Sequence, residues 1–145
     1  MRWIIGGMLV AAAAVASAND VGEIKVVSGT VHLEREGKRL PVKPGAPVRQ
    51  SDVLVTGADG SVGVTFADNS LLSAGPDSVL AIDHYSFNPT THAGKFDASL
   101  RRGSLAVISG RMVKASPDAM HVRTPSSIMG VRGTEFLVRV EEPAR

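Results

Sequence analysis

The side chains that could do chemistry are few and scattered. Four histidines stand at His32, His84, His92 and His121. None forms an H-x-H or H-E-x-x-H pair, the spacings that aim two imidazoles at one metal. His32 and His121 alternate with apolar neighbours, which predicts solvent-facing positions on strands. His84 and His92 flank a polar stretch where a loop could bring them together, but no metal is expected there. Three aspartate turns, Asp59-Gly60-Ser61, Asp68-Asn69-Ser70 and Pro76-Asp77-Ser78, invite comparison with calcium loops. They lack the dense glycine repeat and the closing bidentate glutamate. Aspartate bonding the backbone two residues on explains them.

The motifs of catalysis are missing as well. There is no G-x-S-x-G elbow and no Walker or G-x-G-x-x-G loop. The chain has no cysteine, which excludes thiol catalysis, thiolate metal sites and disulfide frameworks. A paired-carboxylate glycosidase needs no local motif, but sugar platforms are aromatic and this chain is only 4% aromatic. The expectation is a protein with no catalytic activity, no cofactor and no metal.

The N-terminus predicts an export signal. Arg2 precedes an apolar run from Trp3 to Ala16, and Ala16-Ser17-Ala18 is an A-x-A cleavage site. Cleavage between Ala18 and Asn19 is expected, leaving residues 1–18 as signal peptide and 19–145 as the mature chain. The run is short for a spanning helix, which needs about 20 apolar residues. A protein of the periplasm or the cell exterior follows, with no stable membrane insertion after the signal is removed. Loss of Arg2 lowers the formal charge from +2 to +1. That is too small to argue for nucleic acid.

The elements that must position any site are strands. Period-two alternation over Asp20 to Arg35 predicts a half-buried strand, broken at Ser28-Gly29. Short strands follow at Arg39 to Val42, Asp52 to Thr56, Ser61 to Ala67, Ser70 to Ala74 and Ser78 to Asp83. Turns rich in glycine, proline and aspartate separate them. His84 to Gly94 reads as the longest irregular piece. Strands resume at Phe96 to Arg101 and Ser104 to Ser109, separated by an Arg102-Gly103 turn, then at Arg111 to Ala115 and Ala119 to Thr124. Only Ser126 to Met129 suggests a turn of helix. The architecture is all-β, with a solenoid-like stack and a two-layer sandwich both open.

Charge is unevenly placed. From Pro41 to Leu100 there are three basic and six acidic residues; from Arg101 to Val140 there are seven basic and two acidic. The basic ones fall on strands, at Arg101, Arg111, Lys114, Arg123, Arg132 and Arg139. This is either a polar outer sheet face or a surface that docks an anion or a protein.

The last long stretch carries the most specific backbone demands. Pro125 forces Thr124 towards extended backbone and ends an incoming strand. Gly130 and Gly133 flank Val131-Arg132 and predict a corner or bulge. Thr134 can bond backbone there, and Phe136 begins the last strand. Arg132 has two open readings: an ion pair with Asp52 or Asp68, or an outward binding group. With Tyr85 and His84 in the irregular segment, it completes the candidate binding residues.

Three runs resemble one family. They are Gly45 with Asp52-Val53-Leu54-Val55-Thr56-Gly57, then Gly60 through Phe66-Ala67-Asp68-Asn69-Ser70, then Thr124-Pro125 with Gly130-Val131-Arg132-Gly133-Thr134-Glu135-Phe136. Together they resemble a FecR domain, over roughly Gly22 to Val140. Tyr85-Ser86-Phe87-Asn88-Pro89 and Gly94-Lys95-Phe96 are similar to the stand-alone secreted branch of that family. Asn69 and Ser51 stand where the family usually has glycine. The resemblance implies an all-β, solenoid-like periplasmic module that contacts other envelope components and does no chemistry. The namesake regulators add an anti-sigma segment and a membrane helix; neither is expected here, so iron-siderophore signalling is not carried over. The expected partner is an envelope protein. The alternative is a module that binds a small ligand or glycan.

Overall fold

The computed structural model describes residues 20–131 and 135–140. The expected cleavage site at Ala18 and Asn19, and the corner residues Arg132, Gly133 and Thr134, lie outside the described residues. Among the described residues, twelve strands and one five-residue helix make up the fold. The strands are β1 (Asp20–Ser28), β2 (Val31–Arg35), β3 (Lys38–Pro41), β4 (Pro47–Arg49), β5 (Val53–Thr56), β6 (Ser61–Phe66), β7 (Leu71–Ala74), β8 (Val79–Phe87) and β9 (Gly94–Ile108). After the helix α1 (Arg111–Ala115) come β10 (Met120–Arg123), β11 (Ile128–Gly130) and β12 (Glu135–Val140).

All twelve strands belong to one curled sheet, ordered β3-β2-β5-β8-β9-β7-β6-β1-β4, with β10 and β12 also on β9 and β11 on β10. The all-β class therefore holds. Pairing is antiparallel except between β9 and β10, unlike the parallel coils of a stack. The sheet curls over a single core. Alternation places Val62, Val64 and Phe66 of β6 inside, with Leu54 of β5 and Leu72 of β7. Phe66, Tyr85 and Phe96 form an aromatic cluster with ring centroids 4.7–5.4 Å apart.

Strand β9 is the spine. Its first half pairs with β8 and β10, its second half with β7 and β12. The sequence reads as two strands separated by a turn at Arg102-Gly103. The chain instead continues through Gly103, which takes φ +92 and kinks the strand without ending it. A side chain at Gly103 would run into Ser78.

Four other expectations are corrected. The irregular segment from His84 is shorter, because β8 continues to Phe87. A register shift between Ile82 and His84 leaves both Asp83 and His84 exposed and turns Tyr85 inward. Arg111 to Ala115 is helix rather than strand, with Met112 and Val113 buried. Ser126 to Met129 supplies the turn and start of β11 rather than helix. Gly130 lies within β11 opposite His121 and is not among the glycines with positive φ. The nearest atom to an added Cβ there is 3.9 Å away, so no backbone demand fixes glycine at that position.

Gly103→Ala should destabilise the fold by on the order of 2–3 kcal/mol, combining left-handed strain with the clash on Ser78. Urea denaturation checks this; an unchanged midpoint would show that β9 does not need its kink.

Candidate functional site

The motif residues that look reactive in sequence are consumed in holding strands together. Asp52, almost fully buried at the start of β5, receives Arg35 through Nε at 2.8 Å and Nη2 at 2.6 Å. It also accepts the Arg49 N–H at 2.8 Å. The hydrogen bond to Asp52 holds the Arg35 guanidinium above its ordinary pKa. Thr56 donates its hydroxyl to Gly75 O at 2.6 Å and accepts the Ser78 N–H at 2.8 Å. Ser78 Oγ in turn accepts the Ser104 N–H at 3.0 Å, beside the Gly103 kink.

Asp68 is the most enclosed polar group. Its carboxylate accepts the Tyr85 hydroxyl at 3.0 Å, the Ser70 N–H at 3.2 Å, the Ser70 hydroxyl at 2.7 Å and the Met112 N–H at 3.3 Å. Its carbonyl takes the Arg111 N–H at 2.8 Å. The two first N–H groups of α1 are thereby capped from the β6–β7 hairpin. The Tyr85 hydroxyl also accepts the Asp68 N–H at 3.0 Å. Burial, then the Asp68 charge, push the Tyr85 phenol well above its ordinary pKa.

These placements decide between readings. Tyr85 is 7% exposed and its hydroxyl is bonded to Asp68. His84 is exposed on β8, across the ladder from Asp97. The true loop, residues 88–93, is organised by Asn88, whose side chain accepts the Thr90 and Thr91 N–H groups at 2.8 and 3.1 Å. His92 stacks on Phe87 with centroids 5.9 Å apart. Among the described residues no group of three histidines or carboxylates is placed to hold a metal.

Two of the clefts among the described residues bear most on binding. One, of about 410 Å³, is lined by Arg35, Arg49, Gln50, Asp52 and Tyr85. Two of its polar side chains are already committed: Arg35 to Asp52, and Gln50 Oε1 to the Tyr85 N–H at 2.9 Å. The other, of about 690 Å³, lies between β9, the β10–β11 turn and β12. Arg101, Arg102 and Arg139 line it with the hydroxyl residues Thr124, Ser126 and Ser127, and among the described residues no carboxylate does. The Thr124-Pro125 turn is held by Thr124 Oγ1, which accepts the Ser127 N–H at 3.1 Å. Arg101 and Arg139 have no ion-pair partner among the described residues.

The sequence signals this cleft only through the excess of basic residues after Leu100. The Thr124-Pro125 motif reads as a strand end, and nothing local says that it faces three arginines from two other strands. Phe136, on β12, is half-buried against the core. The candidate binding role of Arg132 falls outside the described residues; the carboxylates proposed for it, Asp52 and Asp68, have the partners given above.

Among known proteins, the family model described as FecR protein matches residues 52–144. No curated protein matches the chain, and no solved structure does. The match begins at Asp52, although β1 and β2 before it pair with β6 and β5 in the same sheet.

Tyr85 is the chain's only tyrosine, so tyrosinate absorbance reports it alone. Its folded pKa is raised above the unfolded value of about 10. The stability it contributes is therefore complete below about pH 10 and lost as pH rises beyond it. Tyrosinate should appear together with alkaline unfolding, and Tyr85→Phe should flatten the alkaline fall in melting temperature. Ionisation near pH 10 in a chain that stays folded would contradict the buried hydrogen bond.

Proposed function

The chain belongs to the FecR protein family, and on that footing we propose that it is a non-catalytic envelope module that holds a partner protein. Its site of action is the periplasm or the cell exterior, reached by removal of the N-terminal 18 residues; the charged start, apolar run and Ala16-Ser17-Ala18 support this. One observation carries the docking site: the cleft with three arginines and, among the described residues, no lining carboxylate. Arginine forks favour planar anions, and the adjacent hydroxyls add acceptors and donors. The partner presents an acidic segment to this cleft. Exposed arginines act through a screened field, so the contact is salt-sensitive. A small-ligand or glycan site on the His84–Gly94 segment draws less support, because its candidate Tyr85 is buried in the core.

Crosslinking capture from an envelope extract tests this. The wild-type chain should retain a specific partner at low salt. Arg101→Glu, with a native circular dichroism spectrum, should weaken that capture tenfold or more, since it sets like charges against each other. No specific partner across several growth conditions, or capture indifferent to both salt and Arg101→Glu, would refute the docking site.

A further inference from the structure

Among the described residues the sheet has four strands with one neighbour each: β3, β4, β11 and β12. An edge strand exposes unpaired N–H and C=O groups and templates another strand unless it is blunted. Three of the four are blunted. β3 carries Lys38, Arg39 and Pro41, β4 is three residues long and begins at Pro47, and β11 is three residues long. β1, only partly covered by β4, is interrupted by a register shift between Ile24 and Val26. β12 is different. It runs six residues, Glu135–Val140, contains neither proline nor lysine, and pairs among the described residues with β9 alone.

Its side chains are sorted by face. Val138 is buried, and Phe136 and Val140 pack against the core. Glu135, Leu137 and Arg139 are exposed on the other face, with Leu137 81% exposed. Glu135 and Arg139 have no ion-pair partner among the described residues.

We infer that β12 pairs antiparallel with β12 of a second copy of this chain, about a two-fold axis at Leu137. Opposed residues of an antiparallel pair point to the same side of the sheet. A two-fold that keeps both inner faces inward must therefore pass through an opposed pair of identical residues, since a one-residue slip exchanges the faces. With the axis at Leu137, Glu135 faces Arg139 of the second copy, and Arg139 faces its Glu135. Leu137 faces Leu137, and on the inner side Phe136 faces Val138 twice. Moving the axis to Phe136 sets Glu135 against Leu137. Moving it to Val138 sets Leu137 against Arg139. Only the Leu137 register matches opposite charges and joins apolar to apolar. Arg139 then serves the interface, and the cleft keeps Arg101 and Arg102.

Sedimentation of the chain, expressed from its full reading frame so that it is processed natively, should show a concentration-dependent dimer. Glu135→Arg and Arg139→Glu should each weaken dimerisation roughly tenfold, because two opposed pairs turn repulsive at once. The double exchange, Glu135→Arg with Arg139→Glu, should restore it. The chain has no cysteine of its own, so Leu137→Cys should give a disulfide-linked dimer on mild oxidation. Val26→Cys, exposed on distant β1, should not. A monomer at every concentration, a double exchange that fails to restore the dimer, or equal crosslinking through Val26→Cys would each overturn the inference.

Discussion

A carboxylate with no access to water must find all its hydrogen bonds within the protein or destabilise the fold. Asp68 is in that position, and the solution it finds organises the molecule. Its donors come from Ser70 in the same hairpin, Tyr85 of β8 and the first turn of α1. Three segments far apart in sequence are thereby fixed at one point. The aromatic cluster of Phe66, Tyr85 and Phe96 packs around the same place, so polar and apolar constraints agree. Gly110 fits there because a side chain would meet the Asp68 carbonyl and the Ser70 N–H. A buried network of this kind is stabilising only when complete, and loss of one member leaves the others unsatisfied.

What was legible in the sequence depended on range. Alternation and turn chemistry act over a few residues, and they placed β1, β2, β5, β6 and β7 with the break at Gly29. The features that escaped are decided across the fold. Helix α1 is five residues long, too short to stand by its own propensity. Its cap, Asp68, lies 44 residues earlier than Met112. Tyr85 enters the core because of a register shift in β8, which no local pattern announces. Gly103 looks like a turn because glycine usually marks one; here its positive φ bends a strand that both flanking ladders hold in place.

The same distinction governs the candidate site. The excess of basic residues after Leu100 was visible, but its meaning depends on where the acidic residues end up. Asp52 and Asp68 are buried and bonded, so they cannot neutralise the surface. Arg101, Arg111, Arg123 and Arg139 stay exposed. Burial thus removes Asp52 and Asp68 from the surface and leaves these arginines on it, although the net charge is small. A near-neutral chain can present a strongly basic cleft by this means, and bulk charge would never reveal it.

The cleft and the open edge of β12 meet at Arg139. One guanidinium cannot be fully paired with two carboxylates that approach from different directions. If Glu135 of a second copy holds Arg139, an acidic segment entering the cleft meets Arg101 and Arg102 without it. If the segment arrives first, the edge loses one of its matched charges. Binding of either therefore weakens the other by the same factor, because coupling between two equilibria on one molecule is reciprocal. The family motif at Thr124-Pro125 stands on the cleft side of this balance. It holds the turn that forms one wall, while the spacing of Glu135, Leu137 and Arg139 sets the other side.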